Sequence, residues 1–267
     1  MRFKPRTFGL LGRSLKHSFS PQFFNEKFTQ EGLPHRYVLL ERATLQNLRN
    51  LPNELTDTAG ALAGFNVTIP YKREILSLLD VLDETAVATG AVNTVAILPS
   101  GAWAGFNTDV AGFRQSLTEV LGATACPAAL VLGNGGAAAA VRYALHLLQA
   151  PGITIVVREK KGDVLLAADE ALTTYEQLDA ATVAAHPLII NTTPVGMYPH
   201  VHEAPPIPYA AITPQHIVFD LIYNPAETLF LQRGRMQGAR IQNGLPMLRY
   251  QALAAWDIWQ QHCDLLP

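Results

Sequence analysis

The chain has 267 residues, long enough for two ordinary domains that each bury a core. Hydrophobic residues make up 49% of it and charged residues 16%, with a formal net charge of -2; this excludes a disordered chain and gives no electrostatic basis for binding nucleic acid. Cys126, Cys263 and eight histidines form no metal-ligand spacing, and no apolar run resembles a signal core or membrane span, so the composition points to a cytoplasmic protein with reduced thiols, no metal and a small-molecule partner.

A strand is predicted around Thr7 to Leu11, followed by the loop GRSLKHSFSP and a helix from Pro21 carrying Phe23, Phe24 and Phe28. Ser14, Ser18 and Ser20 lie in that loop. Their hydroxyls and nearby N–H groups suit a carboxylate, although Ser20 before Pro21 also reads as a helix cap. His17, in the same loop, has no triad partners at a recognisable spacing. The strand YVLLE, a helical stretch near Leu45 to Leu55 and the strand GFNVTI continue a β/α alternation that predicts a parallel sheet covered by helices.

GFNVTIPYK, Gly64 to Lys72, breaks the apolar habit of the neighbouring strands. Alternate side chains of a strand share a face, so Phe65, Val67 and Ile69 pack one way while Asn66 and Thr68 point the other. Pro70 ends the strand, and Ile75, Leu78, Leu79 and Leu82 follow at helical spacing. Lys72 is thus expected at a helix start, where the macrodipole disfavours a cation. Further on, AVNTVAIL and WAGFNTD, separated by PSGA, predict a hairpin. If Leu98 faces Trp103, Asn93 pairs with Thr108, beside Asp109. Asp109 is then an N-cap for a helix bearing Phe113, Leu117, Val120 and Leu121 and ending at Gly122.

A second β/α series begins at Ala128, with ALVLGNGGAAAA, ITIVVR, LIINTTP and IVFDLIY as strand segments and an amphipathic last helix from about Leu245 to Gln260. Gly133, Asn134, Gly135, Gly136, Ala137 and Ala138 fit G-x-G-x-x-A between strand and helix, a turn that lets the backbone approach a pyrophosphate at the helix N-terminus. The next strand ends in VVREKK. Arg158 stands where an NAD-binding domain places an acidic residue, and a guanidinium there suits the 2′-phosphate of NADP; Glu159 beside it suits the ribose hydroxyls of NAD. Lys72 and Asp109 are the ion-pair candidates, set against the ordinary readings of a solvated lysine and a simple cap. Met247 and Gln251, four apart, share a helical face.

Together SLKHSFSP, GFNVTIPYK, GAVNTV, GFNTD, GNGGAA, NTTPVGM, DLIYNPAETLFL and NGLPMLRYQA, in this order along nearly the whole chain, resemble the shikimate dehydrogenase family. The resemblance implies an α/β protein with a substrate-binding domain over residues 1–108, a Rossmann-like NADP-binding domain over 109–243, and residues 244–267 packing back on the first. It implies Lys72 and Asp109 as the catalytic pair, with Ser18, Ser20, Asn66, Thr68, Asn93, Tyr223 and Gln251 on the substrate. On NADP(H) it implies Gly133, Asn134, Gly135, Gly136, Ala137, Arg158, Thr193, Gly244 and Met247.

The implied activity is NADPH-dependent reduction of 3-dehydroshikimate by a monomer or homodimer. The alternatives are an NAD-dependent quinate/shikimate dehydrogenase and a catalytically silent metabolite-binding regulator on the same fold. The chain departs from the family pattern at Val157, Arg158, Glu159 and Gly162, where one arginine of the phosphate clamp is missing and Lys160 or Lys161 is left to replace it. It also departs at Val110 and Pro246, neither of which removes a functional side chain.

Overall fold

A computed structural model describes residues 4–16, 18–55, 60–160, 166–263 and 265; His17, Lys161 and Gly162, named above, lie outside them. The chain divides into two compact units, one running to Thr108 and resuming at Gln251, the other running from Asp109 to Tyr250.

The first unit contains β1 (Thr7–Gly12), α1 (Ser20–Gln30), β2 (Arg36–Glu41), α2 (Leu51–Glu54), β3 (Leu62–Val67), β4 (Val81–Leu82), α3 (Glu84–Thr89), β5 (Thr94–Ile97) and β6 (Trp103–Phe106). They form one sheet in the order β2-β1-β3-β5-β6-β4, with β5 antiparallel to both neighbours and the other pairs parallel. One face packs Phe8, Phe24, Phe28 and Tyr37 against Trp256 and Trp259; Phe8 and Trp259 stack at 4.6 Å, and the Trp259 indole N–H donates to the Val95 carbonyl at 3.0 Å. The other face buries Leu11, Phe65, Val67, Tyr71, Ile75 and Trp103.

Several local expectations fail in this unit. The helix predicted after Pro70 is a turn followed by a 3₁₀ helix, Glu74–Leu78, and Leu82 lies in β4. The cause is tertiary: Asp80 N–H donates to the Trp103 carbonyl at 2.9 Å, and the Asp80 carboxylate accepts the Trp103 N–H at 2.7 Å, which draws the chain out to pair with β6. Lys72 therefore precedes a 3₁₀ turn, and the macrodipole argument loses its basis. β3 also ends at Val67, which leaves Ile69 78% exposed instead of packed with Phe65 and Val67.

The hairpin register differs by one residue. Leu98 N–H bonds to the Ala102 carbonyl and Gly101 N–H to the Leu98 carbonyl, so the loop is tighter than counted and Trp103 pairs with Ile97. Near Leu45 to Leu55 the expected helix is a 3₁₀ turn, Leu48–Asn50, running into the short α2.

The second unit contains α4 (Thr108–Leu121, from Asp109 onward), β7 (Ala129–Leu132), α5 (Gly136–Leu147), β8 (Ile153–Val157), β9 (Glu170–Thr174), α6 (Ala180–Ala184), β10 (Leu188–Asn191), β11 (Ile217–Asp220), α7 (Leu229–Met236) and β12 (Arg240–Gln242). The six strands form a wholly parallel sheet in the order β12-β11-β10-β7-β8-β9. Its central strands are buried throughout, as parallel strands covered on both faces must be. β9 and β12 were not predicted: they are edge strands, partly exposed, and lack an apolar run. Among the described residues no helix is long and apolar enough to cross a membrane. The last helix, α8 (Leu245–His262), gives Met247 to the core of the second unit and Ala252, Ala255, Trp256 and Trp259 to that of the first.

Candidate functional site

In the first unit, strand ends collect polar side chains that apolar neighbours bury. Asn66 in β3 is 5% exposed, and its Oδ1 accepts the Tyr37 hydroxyl at 2.7 Å. Its amide donates to the Asn93 carbonyl at 3.2 Å and to the Thr94 hydroxyl at 3.0 Å. Both amide protons are thus used inside the protein, and an Oδ1 lone pair is what Asn66 has left to offer a ligand. The Thr94 hydroxyl donates in turn to Asn93 Oδ1 at 3.1 Å, and Asn93 Oδ1 also accepts the Thr108 N–H at 2.7 Å. The Thr108 hydroxyl reaches Asn93 Oδ1 at 3.1 Å and Gln251 Oε1 at 3.5 Å. So Asn93 and Thr108 do meet, through the Asn93 side chain and not through strand pairing.

At the other end of this chain of bonds Tyr37 is hydrogen-bonded to Ser20. Burial pushes the Tyr37 phenol well above its ordinary pKa, with the Ser20 bond working the other way, so it is a neutral donor. Ser20 is the first residue of α1 and is buried; the cap position is Phe19 and carries no side-chain cap bond, so the expected capping role is absent. Ser18 is half-buried, with its N–H turned to the Leu15 carbonyl. Thr68 follows β3, its N–H bonded to the Leu11 carbonyl at 2.9 Å, and Lys72 is tied nearby through its carbonyl, which accepts the Val92 N–H at 2.7 Å. Ser20, Asn66, Asn93 and Gln251 are thus joined in one polar chain through Tyr37, Thr94 and Thr108, buried except at its half-buried end, Gln251.

In the second unit Asp109 lies inside the first turn of α4 and not ahead of it, where a carboxylate is favoured by the helix dipole. A cavity of about 710 Å³ opens above the carboxyl ends of the strands, lined by Gly133, Asn134, Gly135, Arg158, Glu159, Tyr175, Thr192 and Thr193 among others. Gly133 has φ +104°, and a Cβ there would lie 2.9 Å from Thr192 Oγ1 and Thr193 Cγ2, so both conformation and space demand glycine. A Cβ at Gly135 or Gly136 would meet nothing, leaving the backbone open to a ligand at the start of α5.

Thr193 is held by Asn191, whose Oδ1 accepts both its N–H at 3.0 Å and its hydroxyl at 2.6 Å. Arg158 and Glu159 are both exposed. Burial pushes the Tyr175 phenol up to about 12, with Arg158 acting against it. Gly136, Ala137, Gly244 and Met247 are not in the lining. Gly244 has a packing reason of its own: a Cβ would stand 1.9 Å from the Leu221 carbonyl oxygen. Met247 is buried in the core. Tyr223 lies in the loop after β11 and is exposed.

Residues 10–95 match the family model described as the shikimate dehydrogenase substrate binding domain. A relative from Methanococcus maripaludis, named shikimate dehydrogenase (NADP(+)), is 38% identical over 267 residues, covering 96% of this chain and 92% of that protein. The chain belongs to the shikimate dehydrogenase family. Among solved structures, the shikimate 5-dehydrogenase from Listeria monocytogenes in complex with shikimate and NAD is 29% identical, covers 97% of this chain and 93% of its own, and superposes with a TM-score of 0.85. The shikimate 5-dehydrogenase from Thermus thermophilus in complex with NADP(H) and shikimate is likewise 29% identical, with 97% and 94% coverage and a TM-score of 0.82.

Against that family pattern, Tyr37, Thr94 and Asp220 are polar groups that sequence reasoning did not single out. All three are buried; Tyr37 and Thr94 are bonded to Asn66, which it did single out, and Asp220 to Asn191, which in turn holds Thr193.

Proposed function

We propose that this protein is a shikimate dehydrogenase, reducing the carbonyl of 3-dehydroshikimate to shikimate reversibly, a step toward the aromatic amino acids. NADPH, when bound, supplies the hydride. The glycine turn fits such a ligand, because Gly133 is forced by its surroundings while Gly135 and Gly136 leave the backbone N–H groups of the α5 start uncovered. Arg158 and Glu159 line the same cavity, so the guanidinium is the group to hold a 2′-phosphate, and the carboxylate is the reason to compare NADH.

Lys72 is the proton donor in this reading. As negative charge develops on the carbonyl oxygen, its ammonium stabilises that charge and releases a proton to the oxygen, leaving a hydroxyl and a neutral amine. Asp109 orients the ammonium and a substrate hydroxyl. Ser18 and Ser20 hold the carboxylate, and Asn66, Thr68, Asn93, Tyr223 and Gln251 order the remaining polar groups. The observation that carries the reading is the buried polar chain from Ser20 to Thr108, which Gln251 adjoins: burying so many polar groups is costly unless each is bonded, and a bonded network holds its members in fixed orientations.

We infer further that the first unit serves the substrate and the second the dinucleotide, and that the enzyme works in the cytoplasm as a monomer or homodimer. The test is NADPH oxidation with 3-dehydroshikimate, repeated with NADH and with quinate as the reverse substrate. Substrate-dependent oxidation that is faster with NADPH is expected; tight NADPH binding without turnover overturns the reading in favour of a silent regulator.

A further inference from the structure

Asp220, the last residue of β11, is fully buried, and the three groups bonded to its carboxylate are all neutral. Its Oδ1 accepts the Asn191 amide and the Ile222 N–H, each at 3.0 Å, and its Oδ2 accepts the Thr228 hydroxyl at 2.6 Å. These partners belong to three segments. Asn191 ends β10 and clamps Thr193, while its amide also reaches the Val195 carbonyl at 3.3 Å; Thr192, Thr193, Pro194 and Val195 line the nucleotide cavity. Ile222 begins the loop carrying Tyr223, and its carbonyl accepts the Gly244 N–H at 3.0 Å. Thr228 caps α7 through the Leu231 N–H. A buried carboxylate with no cation bonded to it among the described residues is an expensive way to terminate a strand, and what it secures is the mutual placement of loops at the carboxyl edge of the sheet.

We propose that Asp220 is a positioning residue for dinucleotide binding: its carboxylate fixes the Thr192–Val195 segment against the Ile222–Tyr223 loop and so sets the affinity of the cavity. The inference rests on the NADPH reading above. An asparagine at this position retains an oxygen for Asn191 and Ile222 and can donate to the Thr228 hydroxyl, so it preserves the geometry without the charge. An alanine strips all three donors at once.

The experiment measures the Kd of NADPH by fluorescence, together with KM and kcat, in wild type, D220A and D220N. Turnover of shikimate with NADP+ by the wild type tests the underlying reading by itself. Given that turnover, D220A is expected to raise both the Kd and the KM for NADPH at least tenfold with kcat within about threefold, while D220N stays within about threefold of wild type throughout. Thr228→Val removes the bond to Asp220 Oδ2 together with the cap on the Leu231 N–H but spares the other two bonds of the carboxylate, and carries the test if D220A does not fold; a severalfold rise in Kd is expected, with Thr228→Ser at the wild-type value. A folded D220A, or failing that a Thr228→Val protein, that binds NADPH as wild type does overturns the inference and leaves the proposed function standing.

Discussion

Replacing Asp220 by asparagine should make the protein more stable at neutral pH and leave it unchanged in acid. Burial pushes the Asp220 carboxyl up from 3.8 to about 6, against the bonds from Thr228, Ile222 and Asn191 that favour its charged form. A group whose pKa is raised by folding stabilises the native state through its proton. That contribution is complete below the unfolded value and is lost as pH rises through the folded one. The two values lie about two pH units apart, and each unit is worth about 1.4 kcal/mol, so the wild type loses about 3 kcal/mol relative to D220N between about pH 4 and about pH 7.

Other carboxyls work in the opposite direction: Asp80 is held below the ordinary range by the Arg49 side chain, and Asp179 by the Thr182 side chain. They are common to both proteins and cancel in the difference. Urea unfolding of the pair at closely spaced pH values measures that difference directly. A difference that stays flat from acid to neutral pH would refute the reasoning, since it would mean that Asp220 titrates alike in the folded and unfolded chains.

Lys72→Ala should fold and bind NADPH with the wild-type Kd yet lose turnover by roughly 10² to 10⁴, the usual contribution of a general acid; near wild-type steady-state rates would remove Lys72 from the mechanism. Ser18→Ala should raise the KM for shikimate more than it changes kcat, because the carboxylate is remote from the reacting carbon; Ser20→Ala should do the same and also lower the unfolding midpoint, since it strips Tyr37 of a buried partner. Arg158→Ala should weaken NADPH far more than NADH at one fixed ionic strength, and equal weakening of the two in direct titrations would show that the guanidinium does not face the 2′-phosphate.

The fold was legible where apolar pattern and local signals agree. In the second unit the glycine turn, the buried runs ALVL, ITIVV, LIIN and IVFD, and the stop at Gly122 are each written in contiguous residues, and the structure places strands or a helix end at each. The misreading after Pro70 has the opposite origin. Ile75, Leu78 and Leu79 obey a helical period, but five residues of 3₁₀ helix satisfy the same spacing, and the choice is made by two bonds between Asp80 and Trp103, residues 23 apart in sequence. The hairpin slip is of the same kind: composition marks a turn between Leu98 and Trp103, but a bond from Leu98 to Ala102 decides its length. One residue of register reassigns every cross-strand pair, yet the meeting of Asn93 with Thr108 survives because a side chain spans the offset.

What the sequence exposes of the site is the set of polar residues that interrupt an apolar rhythm, such as Asn66 within GFNVTI. What it hides is the set that fits the rhythm. Tyr37 in YVLLE reads as an ordinary aromatic strand residue, because its ring fills the core against Phe24 and Trp259, and its hydroxyl gains meaning only when β2 and β3 flank β1 and bring it to Asn66. Asp220 at the end of IVFD reads as a strand terminator, and so it is; the pattern does not tell that its carboxylate is closed off from water and surrounded by donors from the end of β10 and from both ends of the loop between β11 and α7. A buried polar group is therefore recognised through its partners, and partners 29 residues away in sequence, as for Tyr37 with Asn66 and Asn191 with Asp220, are supplied by topology alone. The residues that would touch substrate announce themselves by being out of place, whereas the residues that hold them still are concealed by fitting in.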